Sequence, residues 1–363
     1  MKRMMVGVVL VLAGCAQQPV SPEPIVRIPD LSPLPATFQR GMNLEPIRGF
    51  GRTLGLDRLP ASLDALADLG VDHVAIIPSF FQARLESTAF DWRGGRAAVE
   101  AETRAAIALA HERDLAVLLK PHLWLADRDS GAWRGDIDPG DELWPVWRDE
   151  YRDAVLGFAR LAAEESVAGL SIGSELRALT DSRPEFWADL ATEVRAVFPG
   201  FITYAANWDR EFDSISFWPA LDYVGVDAFW PLVDSAEAAL DDDGCDARMG
   251  SIRDRLAAVA ARTGRPVLLT EIGYKSSVGA LWKPWEWSGD EPDASAQAAA
   301  WNCIARVLGG AVTDAGPEAW LHGLYAWNWH ADLDYGGLRN TGFTPRGKPA
   351  EGILGAWFRA RLR

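Results

Sequence analysis

The 363-residue chain is poor in the residues that build metal and redox centres, with three cysteines, five histidines and five methionines. Cys15, Cys245 and Cys303 are too few for a metal site made of thiolates. The histidines, at positions 73, 111, 122, 322 and 330, contain no His-x-His pair, so the clustered imidazoles of barrel metallohydrolases are missing. A centre of His122, Asp227 and a glutamate is the metal arrangement that remains, and no metal or other cofactor is expected. Positive charge is scarce as well. Thirty-six Lys and Arg face 51 Asp and Glu, a formal net charge of -15, which argues against a nucleic-acid surface or a basic lipid-binding patch. No G-x-G-x-x-G or P-loop follows the first strand-like run, which counts against a nucleotide-binding open sheet. The apolar stretch from Met4 to Ala13 is too short to span a bilayer.

What the chain has is a repeated alternation of apolar strand and helix. Strand-like runs cover Phe38 to Leu44, His73 to Gln82, Ala116 to Trp124, Gly169 to Leu176, Phe201 to Trp208, Tyr223 to Pro231, Pro266 to Tyr274 and Leu321 to Trp329. Helical spacing appears over Arg96 to Arg113, Val146 to Ala163, Pro184 to Val197, Ser251 to Thr263, Ala294 to Leu308 and Ala350 to Arg359. Eight such units imply an α/β fold, a single (β/α)8 TIM barrel, with a doubly wound open sheet as the alternative. Period-two alternation puts Ser171, Gly173 and Glu175 on one face, and Leu118, Lys120, His122 and Trp124 on another, both expected to line the interior.

Two runs end on a glutamate, Leu170-Ser171-Ile172-Gly173-Ser174-Glu175 and Val267-Leu268-Leu269-Thr270-Glu271-Ile272-Gly273. A carboxylate at the C-terminal end of a buried strand is costly unless it is paired or neutral. That end is also where α/β barrels place their sites. The expectation is acid/base chemistry on a sugar; the bland alternative is a pair of structural glutamates balanced by Arg or Lys.

The first residues resemble a bacterial lipoprotein signal. Lys2 and Arg3 precede the apolar stretch, and Leu12-Ala13-Gly14-Cys15 looks like a lipobox at which Cys15 is lipidated. The expected organisation is signal 1–15, a Pro-rich tether 16–35 and a catalytic barrel 36–363. Ala16 after the cysteine implies the outer membrane of the cell envelope, with contact through the lipid alone. Asp241-Asp242-Asp243 reads as a solvated loop. Cys245 and Cys303 could form one disulfide in an oxidising compartment, or remain thiols.

Across the barrel the chain resembles glycoside hydrolases of clan A, and family 113 most closely, a family whose known members largely degrade β-mannan. The strand-end glutamates and Thr344-Pro345-Arg346-Gly347-Lys348-Pro349-Ala350 carry the likeness. It implies a retaining double displacement with Glu175 as acid/base and Glu271 as nucleophile. Two positions depart from the clan. Ser174 stands where Asn usually precedes the acid/base, and Phe229 where a tyrosine often bonds the nucleophile, leaving Tyr274, Lys120 or His122 to orient Glu271.

Seventeen tryptophans suit a carbohydrate cleft, since an indole offers a flat apolar face and one N–H. Trp124, Trp208, Trp230, Trp327 and Trp329 follow strands, and Trp282, Trp285 and Trp287 share a loop. Trp327 is expected beneath the cleaved sugar, with Trp329 its competitor. Lys120, His122, Asn207 and Asp227 could read hydroxyls, and Asn43 more weakly. The partners expected are a carbohydrate substrate and, through Cys15, a membrane; a monomer is expected. The rival readings are a noncatalytic glycan-binding lipoprotein and an envelope enzyme acting on peptidoglycan.

Overall fold

The computed structural model describes residues 34–46, 53–127, 129–287, 289, 291–315 and 319–360. The expected signal, Cys15 and nearly all of the expected tether lie outside the described residues. Leu34, assigned to the tether, is instead buried and donates its N–H to the Ala360 carbonyl at 2.9 Å.

Eleven strands are described: β1 (Gln39–Glu45), β2 (His73–Ile76), β3 (Ser79–Gln82), β4 (Phe90–Asp91), β5 (Ala116–Leu119), β6 (His122–Leu125), β7 (Gly169–Ser174), β8 (Phe201–Asn207), β9 (Val224–Ala228), β10 (Val267–Ile272) and β11 (Leu321–His330). Eight of them, β1, β2, β5, β7, β8, β9, β10 and β11, pair in that order as parallel neighbours and close on β1. The chain is therefore a TIM barrel. Around it run α1 (Leu59–Leu69), α2 (Arg96–His111), α3 (Gly140–Glu164), α4 (Arg177–Ser182), α5 (Pro184–Val197), α6 (Glu211–Ser214), α7 (Asp242–Thr263), α8 (Ala294–Ala315) and α9 (Pro349–Arg359). The main core lies between this ring and the strands, filled by outward residues such as Val74, Leu170, Val224 and Leu269.

Inside the barrel, Ala75, Leu118 and Tyr325 pack together. The Tyr325 ring leaves no room on the neighbouring strand, where a Cβ on Gly41 would fall 2.3 Å from it.

The runs expected over His73 to Gln82 and Ala116 to Trp124 each divide. Barrel pairing stops near Pro78 and Pro121, and the chain continues as β3 and β6, which with β4 form a separate three-stranded sheet above the rim. Proline offers no N–H to a ladder, which suits it to such a break.

Register shifts close to the glutamates and to Trp327 alter the expected alternation. Ser171 and Ser174 of β7 pair with Thr203 and Ala205 of β8, so β7 carries one extra residue there. Gly173 consequently turns to the helices, where a Cβ would sit 2.7 Å from Tyr204 and 2.9 Å from Trp187, while Ser174 turns inward to Asp227. The shared face assigned to Ser171, Gly173 and Glu175 is thus overturned by a bulge. A second shift falls between Leu269 and Glu271 on β10, and a third between Ala326 and Trp329 on β11.

Two further expectations are resolved. Asp241 is the N-cap of α7, accepting from Gly244 N–H at 2.8 Å, with Asp242 and Asp243 in the first turn, so the acidic cluster complements a helix terminus. Cys245 on α7 and Cys303 on α8 form a disulfide.

Candidate active site

Both strand-end glutamates are buried at the same end of the barrel, Glu175 just after β7 and Glu271 on β10. Glu175 has φ +54°, a left-handed conformation that a non-glycine residue holds only when its neighbours enforce it. Its N–H donates to the Ala205 carbonyl at 2.8 Å. Asn207 at the end of β8 donates its amide to Glu175 Oε1 at 2.8 Å, and Arg134 lies 3.1 Å from Oε2.

Glu271 is held from the other side of the cluster. Lys120 Nζ donates to its Oε1 at 2.5 Å and to the Thr270 carbonyl at 3.3 Å. The His122 Nε2 is 3.7 Å from the same carboxylate oxygen. Asp227 on β9 lies between the glutamates, accepting from Ser174 Oγ at 3.0 Å and Thr270 Oγ1 at 2.8 Å, with Lys120 Nζ 3.9 Å away. Ser174 therefore serves the cluster's interior.

Electrostatics follow from burial. Loss of water raises the Glu175 carboxyl above its ordinary value, and Asp227 adds to the rise against Arg134, Asn207 and Lys120. Burial, with Asp227, pushes Glu271 up to about 8 against the pull of Lys120. His122 is driven well below its ordinary value by burial and the charges of Arg134 and Lys120, so it is neutral. Three carboxyl groups then face two cations. One proton among the acids makes the set neutral, the state that a low-dielectric site favours.

The remaining sequence candidates separate. Trp327 is buried in an apolar wall with Ile77, Phe229 and Phe343 beside this cluster, and Lys120 Nζ stands 5.5 Å from its ring centroid. Trp124 lies at the rim under Arg134, 4.0 Å away, and donates to Ser79 Oγ. Trp282, Trp285 and Trp287 are 37%, 41% and 61% exposed on the loop after β10. Trp285 stacks on Trp208, with centroids 5.2 Å apart, and Trp287 stands edge-on to Trp327 at 6.3 Å. Trp282 packs against Lys283.

Several candidates belong to the scaffold. Trp329 donates to Ser62 Oγ of α1 at 2.9 Å, because the β11 shift reverses its face relative to Trp327. Trp230 donates to the Trp208 carbonyl, and Tyr274 donates its hydroxyl to the Trp230 carbonyl at 2.7 Å; neither orients Glu271. Asn43 ties β1 to the carbonyls of Thr270 and Tyr325. Arg134 carries no signal in the sequence, since its short 3-10 turn (Arg134–Asp136) has no strand or helix period. Among the described residues no group of three or more His, Cys, Asp or Glu could hold a metal ion.

The model of Glycoside Hydrolase Family 113 matches residues 54–348. A GH113 β-1,4-mannanase complex superimposes with TM-score 0.72 at 22% identity, covering 89% of this chain and 99% of that one. The GH113 β-mannanase AaManA from Alicyclobacillus acidocaldarius gives 0.72 at 24% identity, covering 89% and 97%. GH5_18 from Streptomyces cattleya, in complex with Manb1-4GlcNAc, gives 0.59 at 19%, covering 91% and 83%. No curated protein matches the chain.

Proposed function

The chain belongs to glycoside hydrolase family 113, and on that footing we propose that it is a retaining β-mannanase cleaving β-1,4-mannan, with Glu175 as acid/base and Glu271 as nucleophile. The observation that carries the reading is one buried cluster in which two glutamates from strands across the barrel have different partners. Lys120 supports negative charge on Glu271, the form that attacks the anomeric carbon. Burial and Asp227 raise both carboxyls, and the double displacement puts the retained proton on Glu175, for the departing glycosidic oxygen. Glu175 then takes a proton from water as the glycosyl–enzyme ester is hydrolysed.

The substrate class draws on the apolar wall of Ile77, Phe229, Trp327 and Phe343, which suits the C–H faces of a neutral sugar. The mannan assignment draws on the family and on the names of the β-mannanases that share the fold. Reducing-end release from β-mannan, β-glucan, xylan and peptidoglycan tests it, with product anomers followed by proton NMR. Activity on mannan with retained configuration, lost in Glu175→Gln and Glu271→Gln, is expected. Inverted product rejects the double displacement, glycan binding without turnover favours the binding-protein reading, and activity confined to sacculi favours the cell wall.

We further propose that Cys15 carries lipid and holds the enzyme at the outer membrane of the bacterial envelope. The Leu12-Ala13-Gly14-Cys15 sequence supports this, and Cys15→Ser should move the protein from the membrane to the soluble fraction.

A further inference from the structure

Glu211, the first residue of α6, is fully buried and lies outside the pair to which chemistry is assigned. Its carboxylate accepts three hydrogen bonds. Tyr204 Oη and Thr180 Oγ1 donate to Oε1 at 2.7 and 2.9 Å, and the Asn207 backbone N–H donates to Oε2 at 2.7 Å. Two of these lead to Glu175. The Asn207 side chain donates to Glu175 Oε1. The Tyr204 hydroxyl also accepts at 2.6 Å from the N–H of Leu176, the residue that follows Glu175.

Packing alone does not call for an acid here. Tyr204 is surrounded by Trp187, Phe217 and Trp218, and placing a carboxyl group beside such a shell is costly unless its hydrogen bonds are specific. The left-handed backbone of Glu175 needs restraint on both sides. Glu211 supplies it, reaching the side-chain partner from one oxygen and the following amide, through Tyr204, from the other.

We infer that Glu211 is a positioning residue for the acid/base, fixing Asn207 and the Leu176 amide so that the Glu175 carboxyl meets the glycosidic oxygen. The inference rests on the reading of Glu175 as acid/base given above. Burial pushes the Glu211 carboxyl up to about 8 while its three donors favour the ionised form, and Tyr204 and Glu175 are the titratable groups acting on it.

The leaving group separates positioning from general scaffolding. A sugar alkoxide needs protonation to depart, whereas dinitrophenolate does not. In the full-length protein, Glu211→Gln should lower kcat/KM for mannohexaose by about 10- to 100-fold and for 2,4-dinitrophenyl β-mannobioside by less than about threefold. Tyr204→Phe should give the same asymmetry at smaller size. Added to Glu175→Gln, Glu211→Gln should cost little more. Equal losses on both substrates, or full additivity with Glu175→Gln, overturn the inference while leaving the assigned reaction intact. A wild type that hydrolyses neither substrate overturns the assigned reaction and this inference together. If Glu211→Gln loses its native near-ultraviolet circular dichroism, the Tyr204→Phe comparison decides by the same criterion.

Discussion

Lys120 Nζ lies 2.5 Å from Glu271 Oε1 and 3.9 Å from Asp227 Oδ1, with all three side chains buried. Phe229, which has no hydroxyl, forms part of the apolar wall instead, so a cation replaces the neutral donor that a tyrosine would provide. A cation favours the ionised nucleophile more strongly than a neutral donor does. Lys120→Met should therefore raise the Glu271 carboxyl further above its present value of about 8. In the double displacement proposed above the ionised form of Glu271 attacks, so on that reading the acidic limb of kcat/KM should move to higher pH. Leaving buried acids without their cation should also cost about 3–5 kcal/mol of stability, measurable by denaturant titration. An unmoved acidic limb would count against Lys120 as the group that sets nucleophile ionisation.

Trp327 presents the main indole of the apolar wall. Trp327→Ala should lower kcat/KM on mannan by about 10- to 100-fold, equivalent to roughly 1.4–2.8 kcal/mol. Trp329→Ala, which loses packing against α1, should instead lower the melting temperature and leave the KM of the surviving enzyme near that of the wild type. Initial rates and thermal melts on both variants separate cleft from scaffold. A rise in KM for Trp329→Ala alone would reverse the assignment.

Glu45, at the end of β1, is raised from 4.5 to about 7 by burial. Between these values the folded chain retains a proton that the unfolded chain releases. Its contribution to stability is therefore complete below pH 4.5 and is lost as pH rises through about 7, amounting to at most about 3 kcal/mol. His330, lowered to about 4, slopes the opposite way below 6.5. Its Nε2 lies 3.5 Å from Glu45 Oε2, so the comparison is made in a His330→Gln background, where adding Glu45→Gln should gain melting temperature relative to its parent from pH 5 to pH 8. A pH-independent difference would show that the Asn328 amide, which donates to Glu45, compensates its ionised charge.

The Cys245–Cys303 bond joins neighbouring outer helices across 58 residues of sequence. Replacing both cysteines with serine should cost about 2–4 kcal/mol in chemical denaturation by the loop-entropy argument. kcat of the folded protein should not change, since neither helix supplies a residue to the carboxylate cluster. A loss of kcat without loss of stability would contradict both statements.

The barrel was legible because strand and helix periods repeat over long segments, and Glu175 and Glu271 were legible because a carboxylate terminates an apolar run. The facing of individual residues was less so. Extra residues in β7, β10 and β11 shift the ladder just where site residues occur, and period-two counting cannot register an insertion of one. Period-two counting therefore groups Ser171, Gly173 and Glu175 and puts Trp329 on the face of Trp327, and the extra residues undo both. Arg134 and Glu211 are illegible in the sequence because their importance comes from contacts 41 and 4 residues away, neither of which leaves a periodic trace.

The small β4–β3–β6 sheet has a consequence for how this scaffold can diverge. It carries Trp124 to the rim, yet beyond Pro78 and Pro121 its strands pair with one another and not with barrel neighbours. Lengthening the β3 to β4 turn, or recolouring its outward residues, would change the height and chemistry of one bank of the cleft without disturbing a closed ladder. That makes the β3 to β4 hairpin a natural seam for grafting, where specificity could be exchanged while His122 at the start of β6 stays beside Glu271.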